Sequence, residues 1–161
     1  MPETPSRLQR DLKQNRPFPS VAQEAMLSLF KTVDDLRRGA IQVLEPEGIT
    51  LQQYNVLRIL RGAGAEGLPT LEIVTRMIEQ APGITRLLDR LERKKLVHRE
   101  RCPTDRRQVT CRITEPGLGL LARLDAVVDR TNRHLLGGLT TAEQRQLIQL
   151  LDQVREGLPA G

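Results

Sequence analysis

Aromatic residues are nearly missing from this chain: of 161 residues none is Trp, one is Tyr and two are Phe. With Phe18, Phe30 and Tyr54 as the whole supply, an aromatic cage around a ligand cannot be built. Cysteine is scarce as well. Two cysteines cannot staple a disulfide framework, and a reducing compartment keeps them as thiols. Long apolar runs are absent, because Arg, Asp, Glu or Gln interrupts every apolar cluster well short of the roughly 18 residues a membrane span needs. The opening MPETPSRLQRDLKQNRPFPS carries charges of both signs and no apolar block. That excludes a secretory signal and predicts a cytoplasmic protein with no membrane partner. Catalytic signatures are missing too: there is no glycine-rich phosphate loop, no His-Glu-x-x-His pair and no nucleophile elbow. The two histidines, His98 and His134, are far apart in sequence, and His134 reads as a helix-end or interface residue. No enzyme, cofactor or metal centre is expected.

What is present suits one folded domain, with 39% hydrophobic and 28% charged residues. The net charge of +5 is unevenly placed. Between Arg93 and Arg112, Arg93, Lys94, Lys95, Arg99, Arg101, Arg106, Arg107 and Arg112 face only Glu100 and Asp105. Eight cations against two anions leave +6 in 20 residues, while the rest of the chain carries −1. A cluster of this kind is the footprint of a polyanion partner, since Lys and Arg on one surface neutralise phosphates and release counterions. Charge alone does not separate this from a merely solvated face, so the local structure has to decide.

Residues 1–19 are polar and proline-flanked and read as a flexible arm. From Ser20 to Leu44 apolar residues follow the three-and-four spacing of one helix face, about 37 Å long at about 1.5 Å per residue. Thr50 with Gln53 makes a capping box for a second helix to Arg61, with Gly62 and Gly64 as stop signals. A third helix, Leu71 to Ile78, takes Thr70 as its cap. After a turn at Glu79, Gln80 and Ala81, Pro82 suits the first position of a fourth helix running to Lys94. This helix buries Ile84, Leu87, Leu88 and Leu91. The period then changes to that of two strands, Leu96 to Cys102 and Val109 to Thr114, which form a hairpin with Arg106 and Arg107 at its tip. Thr114 and Pro116 open a fifth helix that stops at Gly137 and Gly138. Thr140 and Glu143 cap a sixth, ending at Gly157.

Two short helices joined by a tight turn and followed by a basic hairpin make a winged helix-turn-helix. The fold class is therefore mainly α with a small β-hairpin wing. In such a unit the second helix enters the major groove, and its outward amino-terminal residues meet base edges. Those residues are Gln80, Gly83, Thr85, Arg86 and Arg90, with Arg93 one turn further on. Arg86 and Arg90 are the preferred readers, because a guanidinium can bridge the acceptors of guanine. Most protein–DNA hydrogen bonds nevertheless go to the backbone, so a phosphate contact is the competing role for each Arg. Arg106 and Arg107 suit a narrowed minor groove. Asp105 would repel phosphate if left bare, so its expected part is to orient Arg106 or an Arg of the recognition helix by a charge-assisted hydrogen bond, or simply to serve the turn.

The long terminal helices carry more apolar surface than a winged helix needs to cover its own core. Residues 20–48 and 115–157 are therefore expected to be dimerisation helices around a DNA-binding domain at 49–114. A twofold homodimer implies double-stranded DNA with an inverted-repeat operator as partner.

The run TRLLDRLERKKLV from Thr85 to Val97, followed by RERCPTDRRQVTCRITEPG, resembles the recognition helix and wing of the MarR family of bacterial transcription regulators. The resemblance spans roughly Ser20 to Gly157. It implies a homodimer built from the first, fifth and sixth helices and repression through palindromic operators. Relief is implied by a small, often phenolic or anionic effector, or in a subset by cysteine oxidation. The implied pocket lies between dimer helices and winged lobe, where Arg37, Arg38, Tyr54 and Arg58 are the candidate contacts. Two positions depart from the family pattern: Lys95 stands where Gly is usual after the recognition helix, and Cys102 where Asp commonly precedes the wing Pro.

The cysteines open an alternative. If the hairpin turn centres between Arg106 and Arg107, Cys102 and Cys111 are cross-strand neighbours with His98 on the face of Cys102. Such a group could oxidise or hold a soft metal and so move the wing. A one-residue change of register sends Cys111 to the other face. A last alternative, from another class, is a non-catalytic winged-helix scaffold whose basic face binds protein or RNA.

Overall fold

Side-chain caps fix most of the helix starts. In the computed structural model, which describes residues 5–101 and 108–159, the chain divides into two units, Met1–Gly39 and Ala40–Gly161. In the first, Ser6 and Gln9 form a capping box that opens the short helix α1 (Arg7–Asp11), whose Leu8 is buried. The segment expected to be an arm thus contains one short helix. Helix α2 (Val21–Leu44) starts in this unit and continues into the second. Its apolar spacing is the expected one, yet Met26, Phe30 and Val33 are exposed and Leu44 is its single buried residue.

In the second unit a 3-10 turn at Glu45–Glu47 leads to α3 (Leu51–Ala63), opened by the Thr50–Gln53 capping box as expected. Strand β1 (Leu68–Pro69) follows, then α4 (Thr70–Arg76) and α5 (Ile84–Arg93). Strands β2 (Val97–Arg101) and β3 (Val109–Ile113) precede α6 (Glu115–Leu135), whose amino terminus is capped by the Thr114 hydroxyl, and α7 (Thr141–Glu156), opened by the Thr140–Glu143 box. The three strands form one antiparallel sheet in the order β1-β3-β2. Leu57, Leu60, Ile73, Leu88, Leu91 and Leu121 lie within one core that takes in α3 to α6 and the sheet. No helix among the described residues is long and apolar enough to cross a membrane.

Three local expectations are corrected. The hairpin is the larger part of a three-stranded sheet, because Leu68 and Pro69 pair with Cys111 and Thr110. Two residues are too short for a period-two pattern to register. What permits the close approach is Gly67, at φ +69, where a Cβ would lie 2.3 Å from the Cys111 carbonyl oxygen. Thr70 is consequently no helix cap: it is the first residue of α4, and its hydroxyl donates to the Val109 carbonyl at 3.3 Å, tying helix to sheet. Pro82 likewise does not begin the fourth helix. The backbone turns left-handed at Gly83, φ +91, and α5 starts at Ile84.

Candidate nucleic-acid interface

Helix α5 is held by its apolar side: Leu87, Leu88 and Leu91 are buried in the core. The opposite side is therefore turned out, and Thr85, Arg86, Arg90 and Arg93 are all exposed, as are Gln80 and Gly83 just ahead of the helix. Arg86, Arg90 and Arg93 recur at four and three residues and make one cationic stripe. Among the described residues Arg86 and Arg90 have no carboxylate partner, whereas the Arg93 Nε donates to the Asp89 carbonyl at 3.4 Å. The turn before α5 is pinned from α3, where the Asn55 side-chain oxygen accepts the Ile78 amide at 3.0 Å. Sequence reasoning missed Asn55, since a lone Asn inside a helix gives no periodic signal.

The carboxyl end of α5 closes with a hydrogen-bond pattern that needs a left-handed residue. The Lys95 amide donates to the Glu92 carbonyl at 2.8 Å and the Leu96 amide to the Leu91 carbonyl at 3.0 Å, with Lys95 at φ +58. A non-glycine residue thus occupies the position at which glycine is favoured. The Lys94 ammonium donates to the Gly48 carbonyl, and the Thr114 hydroxyl to the Lys95 carbonyl at 2.7 Å. The end of the helix is fastened from two sides.

The positive cluster read from the sequence is partly spent inside the molecule. Arg99 on β2 turns its guanidinium to α5, with Nη2 2.5 Å from Asp89 Oδ1 and 2.7 Å from Glu92 Oε2, and Nε 2.9 Å from Glu92 Oε2. Its amide donates to Glu92 Oε1 at 3.2 Å. The hydrogen bonds from Arg99 hold the Glu92 carboxyl below the usual glutamate range, and those to Glu92 raise the Arg99 guanidinium above its own. Arg112 is similarly engaged, donating to Glu100 at 2.9 Å and to the Ala65 carbonyl at 3.1 Å. Arg93, Lys95 and Arg101 remain exposed. Asp105, Arg106 and Arg107 lie outside the described residues.

The register also settles the cysteine geometry. Cys111 pairs with Arg99, and Val109 with Arg101, so the premise of a turn centred between Arg106 and Arg107 fails and Cys111 is not opposite Cys102. Cys102 itself lies outside the described residues. Cys111 is fully buried, its thiol 3.9 Å from the Thr70 hydroxyl and pushed up by burial away from the reactive thiolate. His98 pairs with Arg112, on the face opposite Cys111. Among the described residues no group of three His, Cys, Asp or Glu side chains could hold a metal.

The candidate effector residues are divided. Arg37 belongs to the first unit, Tyr54 and Arg58 to the second. Tyr54 is half-buried on α3, its hydroxyl pKa raised chiefly by burial, and the Arg58 guanidinium stands 5.9 Å from its ring centre. One turn on, Arg61 Nη1 contacts both oxygens of Asp125 on α6, at 2.8 and 3.1 Å. A cavity of about 470 Å³ opens elsewhere, against Lys94, Leu96, Pro116 and Leu120, where Arg123 pairs with Glu47 at 3.1 Å.

Known proteins have a similar sequence and fold. The MarR family pattern matches residues 49–109, which hold the elements from α3 to the start of β3. A candidate transcriptional regulatory protein for the hcr operon of Thauera aromatica is 32% identical over 127 residues, covering 74% of this chain and 75% of its own. The crystal structure of a MarR transcription factor from Planctomyces limnophilus is 39% identical, with a TM-score of 0.67 over 85% of this chain and 99% of its own. The DNA complex of MepR from S. aureus is 26% identical, with a TM-score of 0.72 over 88% of this chain and 100% of its own.

Proposed function

The chain belongs to the MarR family of DNA-binding transcriptional regulators, and on that footing we propose that it is a homodimeric repressor whose Arg86 and Arg90 read an inverted-repeat operator. The observation that carries this reading is the outward pair Arg86 and Arg90 within the cationic stripe of α5. Two guanidinium groups without carboxylate partners among the described residues stand on a helix whose other side is locked in the core. A helix of this width fits the major groove, and an outward Arg can bridge O6 and N7 of guanine. Thr85, Gln80 and Gly83 flank that position, and Arg93 extends it toward phosphate. Arg106 and Arg107 are assigned to the wing contact, with Asp105 to orient Arg106 or an Arg of α5.

The test separates reading from holding. Arg86→Ala is expected to cost about 1–3 kcal/mol on the operator and much less on scrambled duplex of the same length. Equal losses on the two sequences demote Arg86 to a phosphate contact. Neutralising Arg106 and Arg107 together is expected to lower the salt dependence of binding by about two units of slope, and an unchanged slope removes them from the interface.

Residues 20–48 and 115–157 serve as the dimerisation helices around the DNA-binding segment 49–114, with residues 1–19 as an arm. The support is their exposure: α7 has no buried residue, and Leu44 is the single buried residue of α2. A small anionic or aromatic effector releases the operator, and the Tyr54 ring with Arg58 above it is the chemistry on α3 suited to such a ligand. A thermal-shift screen of small aromatic carboxylates tests this, because a ligand that binds the folded state raises its unfolding temperature. Hits that survive replacement of Arg58 and Tyr54 place the effector elsewhere.

A further inference from the structure

The Arg99 side chain is 22% exposed and turns inward to α5. It spans from the centre of β2 to two carboxylates one turn apart on the same helix, Asp89 and Glu92. Both Glu92 oxygens are occupied, one by the guanidinium and the other by the Arg99 amide. The contact therefore fixes the strand's main chain as well as its side chain. Arg99 faces Cys111 across the sheet, so the strand is held at that point by the β3 ladder on one side and by α5 on the other.

We propose that Arg99 is a positioning residue that clasps the wing strand β2 to the recognition helix α5, so that helix and wing meet DNA as one rigid body. The inference rests on the reading that α5 enters the groove, and it gives Asp89 and Glu92 a part that their charge alone contradicts. Two carboxylates next to the Arg86–Arg90–Arg93 stripe repel phosphate. Their presence is explained when they hold the wing. A guanidinium suits the task because its planar fork donates to both at once, which a lysine ammonium does with less geometric control. The rigid pair loses less conformational freedom on binding than a helix and a wing that move separately.

The test turns on a sign. Asp89→Asn with Glu92→Gln keeps shape and removes two negative charges beside the stripe. Simple electrostatics then requires tighter binding to any duplex. The clasp requires weaker binding, and roughly tenfold weaker is expected on a duplex from the region upstream of the gene. Arg99→Gln is expected to weaken binding by a similar factor while leaving the salt slope unchanged, since no phosphate contact is lost. Hydrogen exchange at the amides of β2 is expected to quicken in both variants. Tighter binding by the Asn/Gln pair, or a slope reduced by about one in Arg99→Gln, makes Arg99 a direct phosphate contact and overturns the proposal. Affinity equal to the parent protein's in folded variants that merely melt earlier overturns it as well. Failure of the unaltered protein to bind duplex DNA at low salt sinks the underlying reading instead, which no clasp variant can mimic.

Discussion

At the scale of single residues, the informative positions are those that break a local rule. Lys95 holds φ +58, where an L side chain is strained, because the end of α5 needs a left-handed residue to return its last carbonyls to the chain. Its side chain is exposed, and the bonds that need this backbone run through main-chain atoms, which glycine retains. Lys95→Gly is therefore expected to stabilise the protein by up to about 1 kcal/mol, seen as an unfolding midpoint higher by about 2–4 °C. Lys95→Ala keeps the strain and serves as the control. An equal gain from alanine means that the lysine charge, not the backbone, was responsible. Arg99 breaks a different rule: it counts toward a phosphate-seeking cluster in the sequence and is used internally in the fold. Charge counting registers where cations are encoded. It does not register which of them a carboxylate seven or ten positions earlier has already taken.

Whole elements were legible in the sequence wherever a cap and a period agreed. The Thr50–Gln53 and Thr140–Glu143 boxes and the Thr114 cap place the starts of α3, α7 and α6 because each pairs a side-chain acceptor with an orphan amide three residues on. The outward set of α5 was legible from the period alone: once Leu87, Leu88 and Leu91 go inward, the positions of Arg86 and Arg90 follow from 3.6 residues per turn. Strand β1, the start of α5 and the hairpin register were not. The first is two residues long, the second depends on one left-handed glycine, and the third is set by pairing energies that a turn sequence alone leaves free. For α7 the cap carries a prediction. Thr140→Ala is expected to cost about 1 kcal/mol. Hydrogen bonds from Thr140 hold the Glu143 carboxyl below its ordinary 4.5, so this carboxylate contributes stability that is present above that value and lost as pH falls through the lowered one. Thermal unfolding followed between about pH 5 and 3 is expected to show a loss that Glu143→Gln diminishes. A loss undiminished in that variant places the acid sensitivity elsewhere.

At the scale of the whole molecule, the question is what covers the terminal helices. Helix α7 is 16 residues long and buries none of them, while Ile148, Leu150 and Val154 stand exposed along it. On α2, Met26, Phe30 and Val33 are exposed in the same way. Amphipathic helices take most of their stability from tertiary packing of the apolar face, so two such exposed faces are what the proposed homodimer would cover. A stable homodimer interface commonly buries about 1,200–2,000 Å² or more, and a charge set into it has no water and no partner. Phe30→Asp and Ile148→Asp, each made alone, are accordingly expected to lower the sedimenting mass toward that of one chain. The DNA consequence follows from symmetry. A dimer presents two α5 helices to sites about 34–36 Å apart, or a multiple of that, and contacts both half-sites at once. A monomer reaches one half-site, so its operator affinity is expected to collapse while the salt slope falls by about half, because half the phosphates are neutralised. If the unaltered protein sediments as one chain at micromolar concentration and still prefers an inverted repeat over a single half-site, the two helix faces have another purpose and the symmetry argument fails with them.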